Sequence, residues 1–369
     1  MRTVGSSSRA HHPPAVSEKG CRASIEVAAG RSTLRLANEV LSLTVLVDKG
    51  ADIFELRHEA GGVDVLLKTA WGLRDPRHAP PSQAPLAQWV ARYPGGWQEL
   101  VPNGGPPCVH QGIEHSFHGE AAVVPWSCEI ICEGGEMAEA RLSVRLLLTP
   151  LRLERRMHIE SGSGVVTLCE RLTNEGTIPV EYMWGHHPAL GAPFLAPSCR
   201  IDLGARTLVA DSEYQSAFNP LVPGTSYEWP YVAGPLGKID LSHLPEAGTR
   251  RTLVGYLSDW DGAWCAVTAP DRGVGFGLVW REDDFPYAWL WQELHATEEF
   301  PWFGTGYALA IEPNTSYPAA GIAEVARRTG TQRSLPPGGS VEVELRALLY
   351  EAAGRVRSIS EDGNVDVKG

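Results

Sequence analysis

Short apolar segments separated by turn-forming residues run through most of this 369-residue chain. Near the start, residues 40–47, 53–58 and 63–67 are parted by Asp48-Lys49-Gly50 and by Glu59-Ala60-Gly61-Gly62. Runs of this length with Gly and Asp between them are typical of antiparallel strands joined by tight turns. The pattern predicts that the chain folds mainly as β-structure.

The same style continues to the end of the chain. Further strand-like segments are residues 121–132, 140–149, 151–159, 165–173, 180–184, 251–257, 264–269, 274–280, 287–293 and 341–350. Leu151-Arg152-Leu153-Glu154 alternates apolar and polar residues, as a strand with one buried face does. Only residues 319–328 have a helical pattern. The sequence therefore predicts an all-β fold, a large antiparallel β-sandwich with few short helices.

Domain boundaries follow from composition. Residues 1–20 contain Ser-Ser-Ser and His-His-Pro-Pro but no apolar core of a signal peptide, so we expect a disordered tail. Residues 21–353 are expected to form a single β-sandwich domain, and residues 354–369 a loose charged tail. Residues 75–85, rich in Pro, Arg and His, predict a long surface loop.

Charge and cysteine usage exclude several classes of protein. The formal net charge is −12, so neither nucleic acid nor an anionic membrane surface is expected as a partner. Seven scattered cysteines without a C-x-x-C pair argue against a disulfide framework or a zinc ribbon. No segment is long and apolar enough to cross a bilayer. We expect a cytoplasmic monomer or homodimer that binds a small molecule.

Three stretches combine polar side chains with strand ends. The segment from Glu181 to Gly191 begins as an aromatic strand, ends in Pro and Gly, and contains His186 and His187. His118 follows Phe117 upstream, and Glu312 follows an apolar run downstream. A rigid β-scaffold can present such residues to a ligand at the ends of its strands. We predict that the three stretches form one proton-transfer site.

Tryptophan is unusually abundant, with 12 residues against 10 tyrosines and 8 phenylalanines. Its flat apolar face and single N–H donor suit stacking against the C–H face of a sugar. Those that adjoin polar candidates are the best choices for a binding pocket. The predicted substrate-binding residues are Trp97, Trp184, Trp291 and Trp302, together with His186, Gln98, Glu99 and Glu293.

A carboxylate and an imidazole suit the interconversion of sugar anomers. The reaction needs a base to take the proton of the C1 hydroxyl and an acid to protonate the ring oxygen. The ring opens, the C1–C2 bond rotates, and the same groups reverse the steps. Reference pKa values of Glu and His let each group hold either state near neutrality, and no metal or organic cofactor is required.

Residues 32–350 resemble the galactose mutarotase-like (aldose 1-epimerase) superfamily, most closely its divergent branches. His118-Gly119-Glu120 is similar to the family's His-Gly element, and Gly185-His186-His187-Pro188 resembles its Gly-x-His-Pro. Ile311-Glu312-Pro313 is similar to its late Glu-Pro, and Leu335-Pro336-Pro337-Gly338-Gly339 resembles its Leu-x-Pro-Gly turn. The four patterns occur in the family's order.

This resemblance implies a mutarotase-type β-supersandwich that binds sugar on its concave face. It implies that Glu312 is the general base and that His187, which directly precedes Pro188, is the general acid. His118 would contact sugar hydroxyls or the ring oxygen. The Asn-Arg pair that typical members carry near their first histidine is absent, which leaves the identity of the sugar open.

Three alternatives remain at the level of the sequence. A metal site from His110, His115 and His118 is disfavoured because their spacing matches no common ligand motif. A glycosidase would need two facing carboxylates from Glu99, Glu293 and Glu312. A non-catalytic carbohydrate-binding sandwich is the strongest rival, although binding alone does not require an acid and a base together.

Overall fold

The computed structural model describes residues 20–75, 77, 82–234, 237–352 and 354–368. In the first half of the chain, one short helix accompanies a long series of strands. These are β1 (Cys21–Ala28), β2 (Arg31–Ala37), β3 (Leu41–Leu46), β4 (Asp52–His58), β5 (Val63–Asp64), α1 (Pro85–Val90), β6 (Trp97–Leu100), β7 (Cys108–His110), β8 (Ile113–His115), β9 (Ser127–Cys132), β10 (Gly134–Gly135), β11 (Met137–Arg145), β12 (Leu151–Glu160), β13 (Val165–Asn174), β14 (Val180–Tyr182) and β15 (Gly185–Gly191).

The second half repeats this organisation. Its elements are β16 (Arg200–Ala210), β17 (Ser226–Glu228), β18 (Tyr231–Gly234), β19 (Gly237–Asp240), β20 (Arg251–Ala269), a 3-10 turn (Pro270–Arg272), β21 (Val274–Trp280), β22 (Tyr287–Leu294), β23 (Tyr307–Asn314), α2 (Ile322–Arg328), β24 (Arg333–Leu335), β25 (Ser340–Glu351), β26 (Arg355–Ile359) and β27 (Val365–Lys368). Neither helix among the described residues has the length and apolarity needed to span a bilayer.

Antiparallel pairing joins most strands into one large sheet that folds into a sandwich, so the predicted fold class is confirmed. The hydrogen-bonded path runs β1-β2-β3-β4-β6-β15-β23-β22-β20-β21-β25-β13-β12-β11-β9. Strand β20 is long enough to pair with two different strands. Its residues 251–257 pair with β22, and its residues 264–269 pair with β21. The break predicted at residues 259–262 is therefore an interior part of one long strand.

The core between the layers comes from alternating side chains. In β12, Leu151, Leu153, Met157 and Ile159 are buried together with Arg155, while the alternate residues are more exposed. Full burial of such a side chain contributes about 1.5–3 kcal/mol, so a strand of this pattern is held firmly in register. The alternation read from the sequence is thus the alternation of the folded strand.

Two elements, β6 and α1, were not predicted from the sequence. The sequence analysis placed no strand within residues 92–103, but residues 97–100 form β6, fully buried between β4 and β15. Helix α1 was not predicted, because six residues are too few to show helical periodicity. Both elements lie beside the polar residues considered below.

The predicted loose tail at residues 354–369 is wrong for its described part. Strands β26 and β27 form a hairpin. Val356 and Ile359 are buried in a small cluster with Trp264, Val279 and Leu348, which explains why a charged segment is ordered. Of the predicted N-terminal tail, residues 1–19 lie outside the described part of the chain.

We expect Ile359→Ala to destabilise the protein by about 2–4 kcal/mol, because truncation leaves a cavity against the sandwich. Ile359 is buried and its neighbour Ser358 is exposed, so Ser358→Ala is the matched control. Urea unfolding at constant pH measures both. Equal midpoints for Ile359→Ala and the wild type would mean that the hairpin is not packed as described.

Candidate active site

Two neighbouring strands bring the predicted acid and base together. Strands β15 and β23 are antiparallel partners, with Ala189 opposite Ala310. Two residues back on β15 and two forward on β23, His187 faces Glu312, and facing residues project from the same side of a sheet. Nδ1 of His187 lies 4.0 Å from Oε1 of Glu312. Two residues that are 125 positions apart in the chain are therefore direct cross-strand neighbours.

Small residues beside this pair leave a hollow in the face of the sheet. Ala189 and Ala310 share the face of His187 and Glu312, and both are fully buried. On the other side of the pair, a Cβ added to Gly185 would lie only 2.1 Å from Nδ2 of Asn314. Glycine in the Gly-His-His-Pro motif therefore allows β15 to approach β23 closely.

Aromatic side chains turn the hollow into a cavity of about 510 Å³. Trp289 and Trp291 of β22 form one wall, and Trp89, Phe117 and Trp302 contribute others. The volume falls in the range of roughly 300–1,000 Å³ that is usual for small-molecule sites. The predicted residues that line this cavity are His118, His187, Glu312, Trp291 and Trp302.

A tight turn holds His118 at the cavity wall. His118 has a left-handed backbone, with φ of 57°. Its N–H donates to the carbonyl of Gly105, and its Nδ1 accepts the N–H of Gly105 at 3.1 Å. A Cβ on Gly119 would lie 2.4 Å from the carbonyl oxygen of Val101, so the His-Gly sequence has a steric cause.

The hydrogen bond to Nδ1 also determines the chemistry of His118. Burial, together with the charges of His187 and Lys49, lowers the pKa of His118 well below its ordinary value, so the ring is neutral. A neutral imidazole that accepts at Nδ1 carries its proton on Nε2. We assign His118 as a hydrogen-bond donor through Nε2.

Burial shifts the two members of the acid–base pair in opposite directions. It raises the pKa of Glu312 well above its ordinary value. It lowers the pKa of His187 to about 4. Both shifts favour the uncharged forms, a carboxylic acid and a neutral imidazole. The carboxylic acid with a neutral imidazole contains the same number of protons as a carboxylate with an imidazolium. One proton transfer between Glu312 and His187 therefore converts one form into the other.

Several polar atoms around the pair have unmet hydrogen-bonding capacity. Oε2 of Glu312, Nδ1 of His187 and the hydroxyl of Tyr93 are buried and have no hydrogen-bond partner among the described residues. Buried polar atoms in folded proteins are nearly always paired, so such a cluster needs an explanation. A polar ligand that enters the cavity could satisfy these atoms.

Asp211 adds a second polar point to the cavity wall. Its Oδ1 accepts the backbone N–H groups of Glu213 and Tyr214, and its Oδ2 accepts the hydroxyl of Tyr256. The carboxylate is thereby fixed just after β16. The sequence analysis missed Asp211, since Asp before Ser-Glu is an ordinary turn signal.

Four predicted substrate-binding residues lie on the opposite side of the sheet, and this prediction is corrected. Adjacent strand residues point to opposite faces, so His186 projects into the sandwich interior. Trp97 donates to Nδ1 of His186 at 3.2 Å, and Trp184 donates to Glu99. His186, Trp97, Glu99 and Trp184 are almost fully buried in this interior network and do not line the cavity.

The interior network is a cluster of buried ion pairs around Arg155. Arg155 donates to both Glu99 and Glu170, and Nε2 of His186 lies 3.1 Å from Glu170. Burial opposes ionisation, yet His186 and Arg155 hold the pKa of Glu170 at about 2. Although burial opposes it too, the two carboxylates raise the pKa of His186. The possible metal-ligand atoms of Glu99, Glu170 and His186 lie within 4.8 Å of one another. The guanidinium of Arg155 already binds both carboxylates.

Gln98 and Glu293, also predicted to bind substrate, support the structure instead. Gln98 shares the face of His187 but lies behind the cavity wall, where it accepts the indole N–H of Trp89 at 3.1 Å and donates to Asp52 at 3.1 Å. Glu293 accepts the N–H groups of Ala296 and Thr297 and so closes a turn. Neither lines the cavity.

The aromatic residues missed by the sequence analysis had little signal. Trp89 lies on the unpredicted helix α1. Tyr93 lies just after that helix, and no feature of the sequence singled it out. Trp289 and Phe117 are recognisable only once strand pairing is known.

Comparison with known proteins supports the fold. The family model described as "Domain of unknown function (DUF4432)" matches residues 28–348. A search of curated proteins finds no match.

Solved structures with the same architecture include a provisionally named aldose 1-epimerase from Klebsiella pneumoniae, with a TM-score of 0.65 and 19% identity, covering 89% of this chain and 82% of that one. A galactose mutarotase-like protein from Clostridium acetobutylicum has a TM-score of 0.63 and 14% identity, with coverage of 89% and 98%. The Slr1438 protein from Synechocystis has a TM-score of 0.61 and 15% identity, with coverage of 89% and 99%. The predicted galactose mutarotase-like fold is confirmed.

We expect Glu312→Gln to stabilise the protein at pH 8. The unfolded chain ionises Glu312 near its ordinary pKa of 4.5, whereas burial keeps the folded carboxyl protonated to higher pH. Rising pH therefore favours unfolding of the wild type, by about 1.4 kcal/mol for each unit between the two pKa values. Gln removes this penalty, so the gain should shrink as pH falls toward 4.5.

Urea unfolding at pH 5 and pH 8 measures the difference, and Glu59→Gln in an exposed turn is the matched control. A Glu312→Gln protein that is less stable than the wild type at pH 8 would show that the carboxylate has a structural partner.

Proposed function

We propose that this chain, which belongs to the family described as domain of unknown function DUF4432, interconverts the α and β anomers of an aldose. The proposal makes it an enzyme of the aldose 1-epimerase type, acting by acid–base ring opening and closure. The observation that carries it is the direct opposition of His187 and Glu312, 4.0 Å apart, within an aromatic cavity. The galactose mutarotase-like fold is consistent with this activity.

The spacing of the pair suits the reacting atoms. The hydroxyl oxygen at C1 and the ring oxygen are bonded to the same carbon. A base and an acid on adjacent strands can therefore reach both oxygens at once. We assign Glu312 the proton of the C1 hydroxyl and His187 the protonation of the ring oxygen, with the roles exchanged on ring closure.

Proton transfer within the pair makes these roles accessible. Burial favours the protonated carboxyl of Glu312 and the neutral ring of His187 before a sugar binds. Moving one proton from the carboxyl to the imidazole gives the carboxylate and imidazolium that start ring opening. A sugar hydroxyl that donates to Oε2 of Glu312 stabilises this charged form. No proton need enter from solvent.

The remaining cavity residues would position the sugar. His118 presents an Nε2–H donor, which fits a sugar hydroxyl or the ring oxygen. Trp291 and Trp302 have ring centroids 5.7 Å apart and line the cavity beside the pair. Such rings stack on the apolar face of a sugar, while Asp211 can accept a hydroxyl at a distance from the pair.

We expect Glu312→Gln to slow anomerisation by about 10²–10⁴-fold, the usual contribution of a positioned general base. Polarimetry or NMR of freshly dissolved hexoses and pentoses measures the rate. Sugar affinity by calorimetry should change little, because the amide retains the shape and hydrogen-bonding capacity of the side chain.

Glu59→Gln again provides the matched control and should keep the wild-type rate. A wild-type protein that binds sugars but does not exceed the buffer rate on any of them would favour the non-catalytic carbohydrate-binding alternative. An unchanged rate in Glu312→Gln would reject Glu312 as the base.

The charge around the cavity favours an uncharged sugar. Three acidic residues, Asp211, Glu213 and Glu312, line it, and no Lys or Arg does so among the described residues. Arg328 lies nearby, but its guanidinium is 3.1 Å from Glu213 and is already paired. A phosphate or sulfonate would therefore meet carboxylates without a cation.

We expect the rate constant kcat/KM for a free aldose to exceed that for its 6-phosphate by at least about tenfold, or about 1.4 kcal/mol. The difference should narrow as salt is added, because salt screens charge repulsion. Coupled assays on glucose and glucose 6-phosphate at two ionic strengths test this. Preference for the phosphate would contradict the uncharged-substrate assignment.

A further inference from the structure

Tyr93 has a buried hydroxyl whose role the fold does not explain. The residue follows helix α1 and is 1% exposed. Its hydroxyl has no hydrogen-bond partner among the described residues. A buried hydroxyl left unpaired costs roughly 1–3 kcal/mol, a cost that Phe at the same position would not have. Packing alone therefore does not account for Tyr rather than Phe.

The ring of Tyr93 is held firmly beside the acid–base pair. It stacks on Trp89 with centroids 4.4 Å apart and lies 6.0 Å from the ring of His187. Trp71 donates its indole N–H to the carbonyl of Tyr93 at 2.7 Å. Tyr93 also lines the cavity. The phenol is thus fixed in the part of the cavity that contains His187.

Nearby carboxyls keep the phenol a hydrogen-bond donor. Burial and the charges of Asp52 and Glu312 raise the pKa of Tyr93 well above its ordinary value. Tyr93 therefore stays protonated. Tyr93 and Glu312 line the same cavity on either side of contacts to His187, and Oε2 of Glu312 is also unpartnered among the described residues.

An unpaired donor and an unpaired acceptor on the wall of one cavity match a group that can both accept and donate. A hydroxyl is such a group: its oxygen accepts from Tyr93 while its hydrogen is donated to Glu312. We propose that Tyr93 donates a hydrogen bond to the same sugar hydroxyl from which Glu312 takes the proton. This inference rests on the proposed aldose 1-epimerase activity. It adds Tyr93 to His187 and Glu312 as a residue that contacts the reacting atoms.

The hydrogen bond would act mainly in the transition state. As the proton leaves the C1 hydroxyl for Glu312, negative charge grows on the oxygen, and a donor fixed at that oxygen binds it more strongly. Tyr93 gives up no proton. Removing one such donor typically lowers kcat by about 10²-fold or more.

Two other tyrosines, Tyr214 in the cavity lining and Tyr256 in contact with the lining residue Asp211, do not offer the same group. The hydroxyl of Tyr214 lies 2.6 Å from Oγ1 of Thr252, and that of Tyr256 donates to Asp211. Their capacity is used within the protein. Tyr350 does not line the cavity, so it supplies a control. Its partly buried hydroxyl lies 2.8 Å from Oγ1 of Thr268.

The test compares Tyr93→Phe with Tyr350→Phe in the full-length protein. We expect Tyr93→Phe to lower kcat about 10²-fold with little change in KM, and to leave Tm unchanged or raised. Tyr350→Phe should keep wild-type kinetics and lower Tm, since it removes a satisfied hydrogen bond. Anomerisation kinetics and thermal unfolding give both readouts.

The outcomes separate this inference from the proposed function. An active wild type with unchanged kcat in Tyr93→Phe overturns the role of Tyr93 alone. So does a Tm loss like that of Tyr350→Phe, because the hydroxyl would then be structural. A wild type that does not exceed the buffer rate on any sugar rejects the proposed function, and the catalytic role of Tyr93 with it.

Discussion

The register of β15 against β23 is the constraint on which the candidate site depends. Because Ala189 faces Ala310, His187 must face Glu312, and no loop movement is needed to assemble the pair. A shift of one residue would send one of the two side chains into the sandwich interior. The small residues beside the pair serve the same geometry, since they leave the hollow in which a ligand can reach both groups.

The sequence predicted the fold well because its evidence was local. Alternation in β12 and the turn residues between segments describe single strands, and these are the features that strand formation depends on. The facing of His187 and Glu312 was inferred from family resemblance. It could not follow from alternation, because it depends on which distant strands pair. The hairpin at residues 355–368 was missed for the same reason: its burial depends on Trp264, far away in the chain.

The wrong site predictions share one cause. Trp97 and Trp184 were chosen because they adjoin polar candidates in the sequence, but adjacent strand residues lie on opposite faces. In β6, Trp97 and Glu99 share the interior face of His186, while Gln98 shares the face of His187. Proximity along a strand was thus a poor guide to proximity in space. Once β6 is recognised as a strand, the alternation of its side chains separates Trp97 and Glu99 on one face from Gln98 on the other.

The two histidines of β15 show why only one face of the strand is suited to proton transfer. Each lies near glutamate, and both are buried. The carboxylates of Glu99 and Glu170 raise the pKa of His186, and Arg155 donates hydrogen bonds to both of them. His187 has no such counter-charge, so burial lowers its pKa to about 4 and leaves Nδ1 unpaired among the described residues. The carboxylates of the interior cluster have Arg155 as a cationic partner and stabilise a strand, whereas the pair of His187 and Glu312 lines the cavity, where a ligand can reach it.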